Sequence, residues 1–399
     1  MLRYEASAPT VSRSSHSLND NLKAIMKIIV NISRIIVGLL FIFSGLIKAN
    51  DPLGLTYKMQ EFFEIWGNSY PSLHSFMMFL NDYALAFSII TITLEVVLGV
   101  ALLLGWGVRF FNWLLLLLII FFTFLTGYAV LSGKIKECGC FGNCIPLTAM
   151  QSFIKDIILC VLILIIFFGA KYIKPIFRGG MNFVVLCVAI LLVVGLQWYV
   201  LVRLPVFDCL PFKTGNNILE LRKMPADAVP DKIDFVFVYE KNGEKKEFSK
   251  TELPDSTWTF VSRKDILLEK GKNNEPPIKD FVLNTLSATD STEAILNNAG
   301  EYYLYFIRDI KKDTSYWLDK FRKLNSFAKQ NNRPLFVIAS QASAAQQLLN
   351  QQNNFNVPVL SADAVAVKTA ARANPTLYLM KGPLIQKKWG SAEIDKAAK

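Results

Sequence analysis

The chain has 399 residues, of which 52% are hydrophobic, with a mean hydropathy of +0.34 and a formal net charge of +11. That apolar content excludes a protein that is water-soluble throughout and fits a membrane protein with a soluble part. The charge divides as +6 over residues 1–203 and +5 over 204–399, with no unbroken basic stripe in either half. This points to solubility and membrane topology and against nucleic-acid binding.

Residues 1–24 begin Ser-rich and polar, without an apolar core or a small-residue cleavage site, and are expected to form a disordered cytoplasmic tail. Five apolar segments come next that can each cross a hydrocarbon core of roughly 30 Å: Ile25–Ala49, Tyr83–Leu104, Arg109–Leu131, Phe153–Ala170 and Met181–Val202. Lys23, Lys27 and Arg34, then Arg109, then Lys171, Lys174 and Arg178 all fall at ends that share one side. The positive-inside rule makes that side cytoplasmic, against the weaker vote of Lys134 and Lys136. Residues 51–80, the loop after the third span and everything after Leu204 then face outward. The expected localisation is a bacterial inner membrane, multi-pass, with a periplasmic C-terminal domain.

Ionisable residues inside the spans are few, and each is a functional candidate because charge in lipid is costly. Glu95 lies near mid-membrane, and Lys48 and Asp156 lie within about a turn of the outer face, where they are expected to pair. The purely structural alternative is that ion pair plus a protonated Glu95 bonded to a neighbouring Ser, Thr or Tyr such as Tyr128. Glu95, Lys48 and Asp156 are the cofactor-binding candidates. Gly38, Gly45, Gly99, Gly105 and Gly107 fit close helix packing.

The stretch Cys138-Gly139-Cys140-Phe141-Gly142-Asn143-Cys144 holds three of the chain's six cysteines in a short polar loop. Thiols one residue apart close only a small, strained ring, so a Cys138/Cys140 disulfide would be oxidising and labile, and Gly139 and Gly142 permit the tight backbone. Inert thiols and thiolates on a metal are the alternatives, the latter without help from histidine, since only His16 and His74 occur. Cys209, just past the fifth span, is the fourth outer thiol; Cys138, Cys140, Cys144 and Cys209 are the catalytic candidates, and two bridges among them allow three pairings. Cys160 and Cys187 lie within spans, where cysteine is usually an apolar filler.

Residues 34–54, Arg-Ile-Ile-Val-Gly-Leu-Leu-Phe-Ile-Phe-Ser-Gly-Leu-Ile-Lys-Ala-Asn-Asp-Pro-Leu-Gly, resemble the start of the DoxX and MauE group of four-helix membrane proteins. Glu95-x-x-x-Gly99 and Cys-Gly-Cys-Phe-Gly at 138–142 are similar to the MauE branch, over about residues 25–170. The resemblance implies a role linked to methylamine utilisation, where the family is thought to help form disulfides in a secreted dehydrogenase subunit. A fifth span (171–204) and a large C-terminal domain are additions to a minimal MauE.

Residues 205–274 read as a small β-rich region: Ile233–Tyr239 and Lys246–Phe248 flank the hairpin signal Asn242-Gly243, and Thr257–Ser262 adds a strand. This region is expected to pack on the C-terminal domain. Over 275–399, strands Tyr302–Ile307, Leu335–Ala339, Val357–Leu360, Thr376–Met380 and Leu384–Trp389 alternate with helices Ser315–Gln330, Ala342–Asn350 and Asp363–Ala373, an α/β order. The arrangement resembles thioredoxin, with Asn374-Pro375-Thr376 at the family's cis-proline and Pro375 the partner-binding candidate. No cysteine occurs after Cys209, so this domain lacks the thioredoxin nucleophile and reads as a binding module whose groove takes an extended peptide.

The fold class expected is therefore membrane α-helical: a four-helix DoxX/MauE-like bundle, a fifth span, a small β region and an α/β thioredoxin-like domain. The function expected is a membrane thiol-disulfide oxidoreductase acting on an envelope or secreted thiol protein, with a membrane quinone as electron acceptor. A non-catalytic scaffold is the alternative, and a transporter the third reading.

Overall fold

The computed structural model describes residues 11–135, 139, 141–269, 271–310 and 314–398, with side chains from residue 20 onward. The chain divides into two compact units, Met1–Cys209 and Leu210–Lys399.

The first unit is helical: α1 (Val11–Asn50), α2 (Pro52–Ser69), α3 (His74–Asp82), α4 (Ala84–Leu104), α5 (Val108–Ser132), α6 (Ala149–Phe168) and α7 (Met181–Val202). Five of these are long and apolar enough to cross a membrane, namely Asp20–Asn50 of α1 and the whole of α4, α5, α6 and α7. The expected spans are recovered to within a few residues. Of the expected disordered tail, residues 1–10 lie outside the described residues, and from Val11 onward the chain is helical. Extending a helix that an apolar segment has nucleated costs little per residue, and an exposed Lys23–Asp20 pair at 3.4 Å lies along the extension.

Why α1 and α4 sit together is written in their small residues. A Cβ placed on Gly38 would lie 2.6 Å from Leu103, one on Gly45 2.6 Å from Val96, and one on Gly99 2.8 Å from the Gly38 carbonyl oxygen. Only glycine lets the two backbones approach so closely, and in lipid such packing is a main source of helix association. Val37, Phe41, Leu98 and Leu102 complete the seam, and Leu115, Ile119, Leu159 and Ile163 join α5 and α6 to the same buried cluster. The stretch after α1, read as an outward segment, is helical: Asp51 caps α2 by accepting from Gly54 N at 3.2 Å, and Phe62 and Trp66 of α2 pack against Tyr128 of α5.

The second unit contains two sheets. The first is antiparallel, β1 (Lys232–Lys241), β2 (Glu244–Ser249) and β3 (Thr259–Glu269), in the order β2-β1-β3, with the expected Asn242-Gly243 turn at positive φ. The sequence led us to expect it packed on the C-terminal domain. Among the described residues, β3 is exposed along its whole length, and none of the three strands joins a core cluster. A ladder of aromatic contacts holds the sheet instead: Tyr239 with Phe248 and Phe260, and Phe248 with Trp258.

The second sheet has β4 (Glu301–Ile307), β5 (Leu335–Ala339), β6 (Val359–Ser361), β7 (Thr376–Lys381) and β8 (Leu384–Gly390) in the order β6-β5-β4-β7-β8. β4, β5 and β6 are parallel; β7 is antiparallel to β4, and β8 is antiparallel to β7. α10 (Ser315–Gln330) covers one face through Trp317, Phe321 and Leu324, and α12 (Ala364–Ala370) covers the other through Ala366 and Val367. Between them lie the short α11 (Ala342–Gln346) and, before β4, α8 (Ile218–Leu221) and α9 (Thr292–Leu296).

The expected boundary at 275 is corrected by the chain's own packing. Phe212, Ile218, Ile278, Phe281 and Leu283 share the cluster of Leu304, Phe306 and Tyr378. Ile218 N donates to the Pro383 carbonyl at 2.9 Å, and Gly215 N to that of Ile385 at 2.8 Å. Residues from Leu210 therefore belong to the α/β unit, and the three-stranded sheet is an insertion within it. These contacts join residues about 165 apart in sequence, which local periodicity does not register.

Candidate functional site

The loop after α5 is anchored at several points. Gly142 N donates to the Gly139 carbonyl at 3.0 Å, closing a turn in which both glycines have positive φ. Asn143 Nδ2 donates to Asp51 Oδ2 at 3.0 Å, so the residue that caps α2 also holds the loop. The Phe141 ring lies 6.1 Å from Phe43 of α1, and Lys155 Nζ of α6 sits 5.5 Å from its centroid. Cys138 and Cys140 lie outside the described residues.

Cys144 is bonded to Cys209 in a disulfide that spans 65 residues. Of the three pairings left open by the sequence, only the one that also joins Cys138 to Cys140 accommodates this bridge. Beside it, Asn50 grips the chain after α7 from both directions: its Nδ2 donates to the Phe207 carbonyl at 2.8 Å, and Phe207 N donates to its Oδ1 at 3.0 Å. Asn50 and Asp51, consecutive at the α1–α2 junction, thus hold both segments that the disulfide links. Cys160 and Cys187 are free thiols, half-buried within α6 and α7.

Beneath the loop is a cavity of about 270 Å³. Leu40 and Phe41 of α1, Ile119 and Phe122 of α5, and Leu159 of α6 supply its apolar walls, while Phe141 of the cysteine loop lies at its edge. Its polar lining is Ser44, Lys48, Glu95, Gln151, Lys155 and Asp156. All three cofactor-binding candidates named from the sequence therefore line one space. A smaller hollow of about 40 Å³ on the other side of Lys48 is lined by Gly139, Phe122 and Thr126.

The pairing inside this space differs from the expectation. Lys48 does not pair with Asp156; its Nζ donates to Glu95 Oε1 and lies 5.0 Å from the Phe122 ring centroid. Ser44 Oγ donates to the second Glu95 oxygen at 3.3 Å, so the hydroxyl partner of Glu95 is a neighbouring serine, and the example Tyr128 instead packs on Trp66. Asp156, fully buried, accepts from Lys155 Nζ at 2.5 Å and from Thr126 Oγ1 at 3.1 Å. The cause is the glycine seam. It sets Glu95 level with Gly45, one helical turn from Lys48, while on α6 the adjacent Lys155 pairs with Asp156. Both Lys48 and Glu95 are almost wholly buried, at 5% and 2% side-chain exposure, so each charge depends on the other.

Sequence reasoning missed Ser44, Phe141 and Lys155 as members of the site. Ser44 and Lys48 are four apart on one helix, which places them on one face, and Lys155 directly precedes a residue already singled out. Among the described residues, no group of three or more His, Cys, Asp or Glu side chains is placed to hold a metal ion.

Pro375 comes after a cis peptide bond at the start of β7. The Asn374 side chain bridges to the end of β4, accepting from Arg308 N at 2.9 Å and donating to the Asp309 carbonyl at 2.7 Å. Its own carbonyl accepts from the Tyr316 hydroxyl, so the backbone acceptor beside Pro375 already has a partner.

Residues 26–169, from α1 to the end of α6, match the family model of the methylamine utilisation protein MauE. Residues 26–169 form a MauE-like membrane domain. The matched span contains the cavity, both ion pairs and the cysteine loop, while Cys209, which completes the disulfide, lies outside it. Residues 233–270, the inserted sheet, match a family described as a domain of unknown function, DUF8463. No curated protein and no solved structure matches the chain.

Proposed function

We propose that this MauE-like protein is a membrane thiol-disulfide oxidoreductase whose working thiols are Cys138 and Cys140. One observation carries the reading: the residues flanking Cys140, Gly139 and Phe141, line the two hollows that share Lys48 as a wall, while the Cys144–Cys209 bridge takes the other two outer cysteines out of the thiol pool. A partner dithiol reduces the Cys138–Cys140 disulfide by exchange and leaves with its own disulfide. Reoxidation then breaks two S–H bonds and forms one S–S bond. The two electrons and two protons released convert a quinone to a quinol.

The cavity suits a quinone-class ring, having apolar walls for the ring and chain and charged hydrogen-bond donors for the carbonyl oxygens. Lys48 and Lys155 are those donors, each held by a carboxylate. The working loop faces the periplasm by the charge rule, and the partner is an envelope or secreted thiol protein, in line with the methylamine utilisation role in the family's name.

We further read the five-stranded sheet, with its parallel trio, antiparallel pair and cis Asn374–Pro375, as thioredoxin-like. Without a cysteine after Cys209 this domain serves as a binding module, docking the partner without exchanging disulfides. The test of the exchange is trapping. Cys140→Ser should accumulate a reducible adduct with a partner through Cys138, or Cys138→Ser through Cys140. If neither variant forms an adduct in native membranes, the oxidoreductase reading fails and a scaffold remains.

A further inference from the structure

At the end of the bundle opposite the cysteine loop, the short connections α4–α5 and α6–α7 meet. They form a floor fixed by backbone contacts. Ile176 N donates to the Leu104 carbonyl at 2.9 Å, Arg34 Nη2 donates to that of Leu103 at 3.3 Å, and a Cβ on Gly105 would lie 2.6 Å from the Lys174 carbonyl oxygen. On this floor opens a hollow of about 670 Å³ whose charged walls are Arg109 and Lys171 and whose apolar walls include Val108, Phe110 and Ile173. Lys174 and Arg178 lie further along the same connection. Neither connection, 105–107 or 169–180, nor the first turn of α5 contains an acidic residue, and among the described residues Arg109, Lys171, Lys174 and Arg178 make no ion pair.

Around the hollow the surface is that of a lipid-facing helix end: Phe110 is 64% exposed and Phe168 77%. Cations beside an apolar wall at the end of membrane spans are the chemistry that receives a phosphodiester and the top of its acyl chains. We propose that this hollow binds the headgroup phosphate of an anionic phospholipid, with Arg109 and Lys171 contacting the phosphate and Phe110 and Ile173 contacting the chains. The site is separate from the redox cavity and does not depend on how that cavity works.

The full-length protein in nanodiscs of zwitterionic lipid, titrated with phosphatidylglycerol and read by native mass spectrometry of retained lipid, tests this directly. The wild type should retain phosphatidylglycerol selectively, and Arg109→Gln with Lys171→Gln should weaken retention by roughly fivefold per charge removed. Arg178→Gln, outside the hollow, should leave it nearly unchanged. An equal loss in Arg178→Gln would mean diffuse attraction rather than a site, and no preference for phosphatidylglycerol in the wild type would overturn the proposal. Displacement of the lipid by inorganic phosphate at equal concentration would assign the site to free phosphate and overturn the lipid reading.

Discussion

The Lys48–Glu95 pair is the most consequential residue-level feature of the membrane domain, because both charges are almost wholly buried. Removing one partner strands the other. Glu95→Gln or Lys48→Met alone should each destabilise the protein by about 3–5 kcal/mol, and the double variant by clearly less than their sum. Unfolding of the detergent-solubilised chain, tracked by tryptophan fluorescence, measures this; additive single losses would show that the two groups do not depend on each other. The individual members of the site were legible because a charge within an apolar run stands out by its cost. Their pairing was not, since it depends on which helices the glycines bring together. Lys48 and Asp156 lie at similar depths in the sequence, yet the packing of α1 on α4 gives Lys48 to Glu95.

Among the elements, the spans could be read nearly to the residue, since sustained hydropathy is a strong signal and the bilayer fixes the length. The strands and helices of the α/β unit were legible in their periodicity, α10 matching its expected bounds at both ends. What periodicity could not supply was partnership over long separations: the return of residues 210–221 to β8, and the bond from Cys144 to Cys209. The helix seam makes a sharp prediction at this scale. A side chain at Gly99 meets the Gly38 carbonyl oxygen and Ile42 N, which are backbone atoms that cannot rotate away. Gly99→Val should therefore cost about 1–3 kcal/mol or more through overpacking. It should also lower the thermal unfolding midpoint in detergent, whereas Gly195→Val, where nothing lies within 4 Å, should not. Equal effects at the two positions would refute the seam.

At the scale of the whole molecule, a MauE-like domain carries a cavity with two ion pairs under a cysteine loop, and the chain after α7 is stapled to that loop by Cys144–Cys209. The two segments that converge on Asn50 and Asp51, the cysteine loop and the chain after α7, are held there by hydrogen bonds and joined by a covalent bond. The central claim is that Cys138 and Cys140 pass electrons into that cavity. The most direct measurement is anaerobic thiol counting on the purified full-length protein in nanodiscs, with its outer pair first reduced, before and after addition of a short-chain quinone. The account predicts that two alkylatable thiols disappear on adding quinone, that peptide mapping assigns them to Cys138 and Cys140, and that one quinol forms per pair. If both cysteines stay alkylatable in the presence of excess quinone, the claim is contradicted.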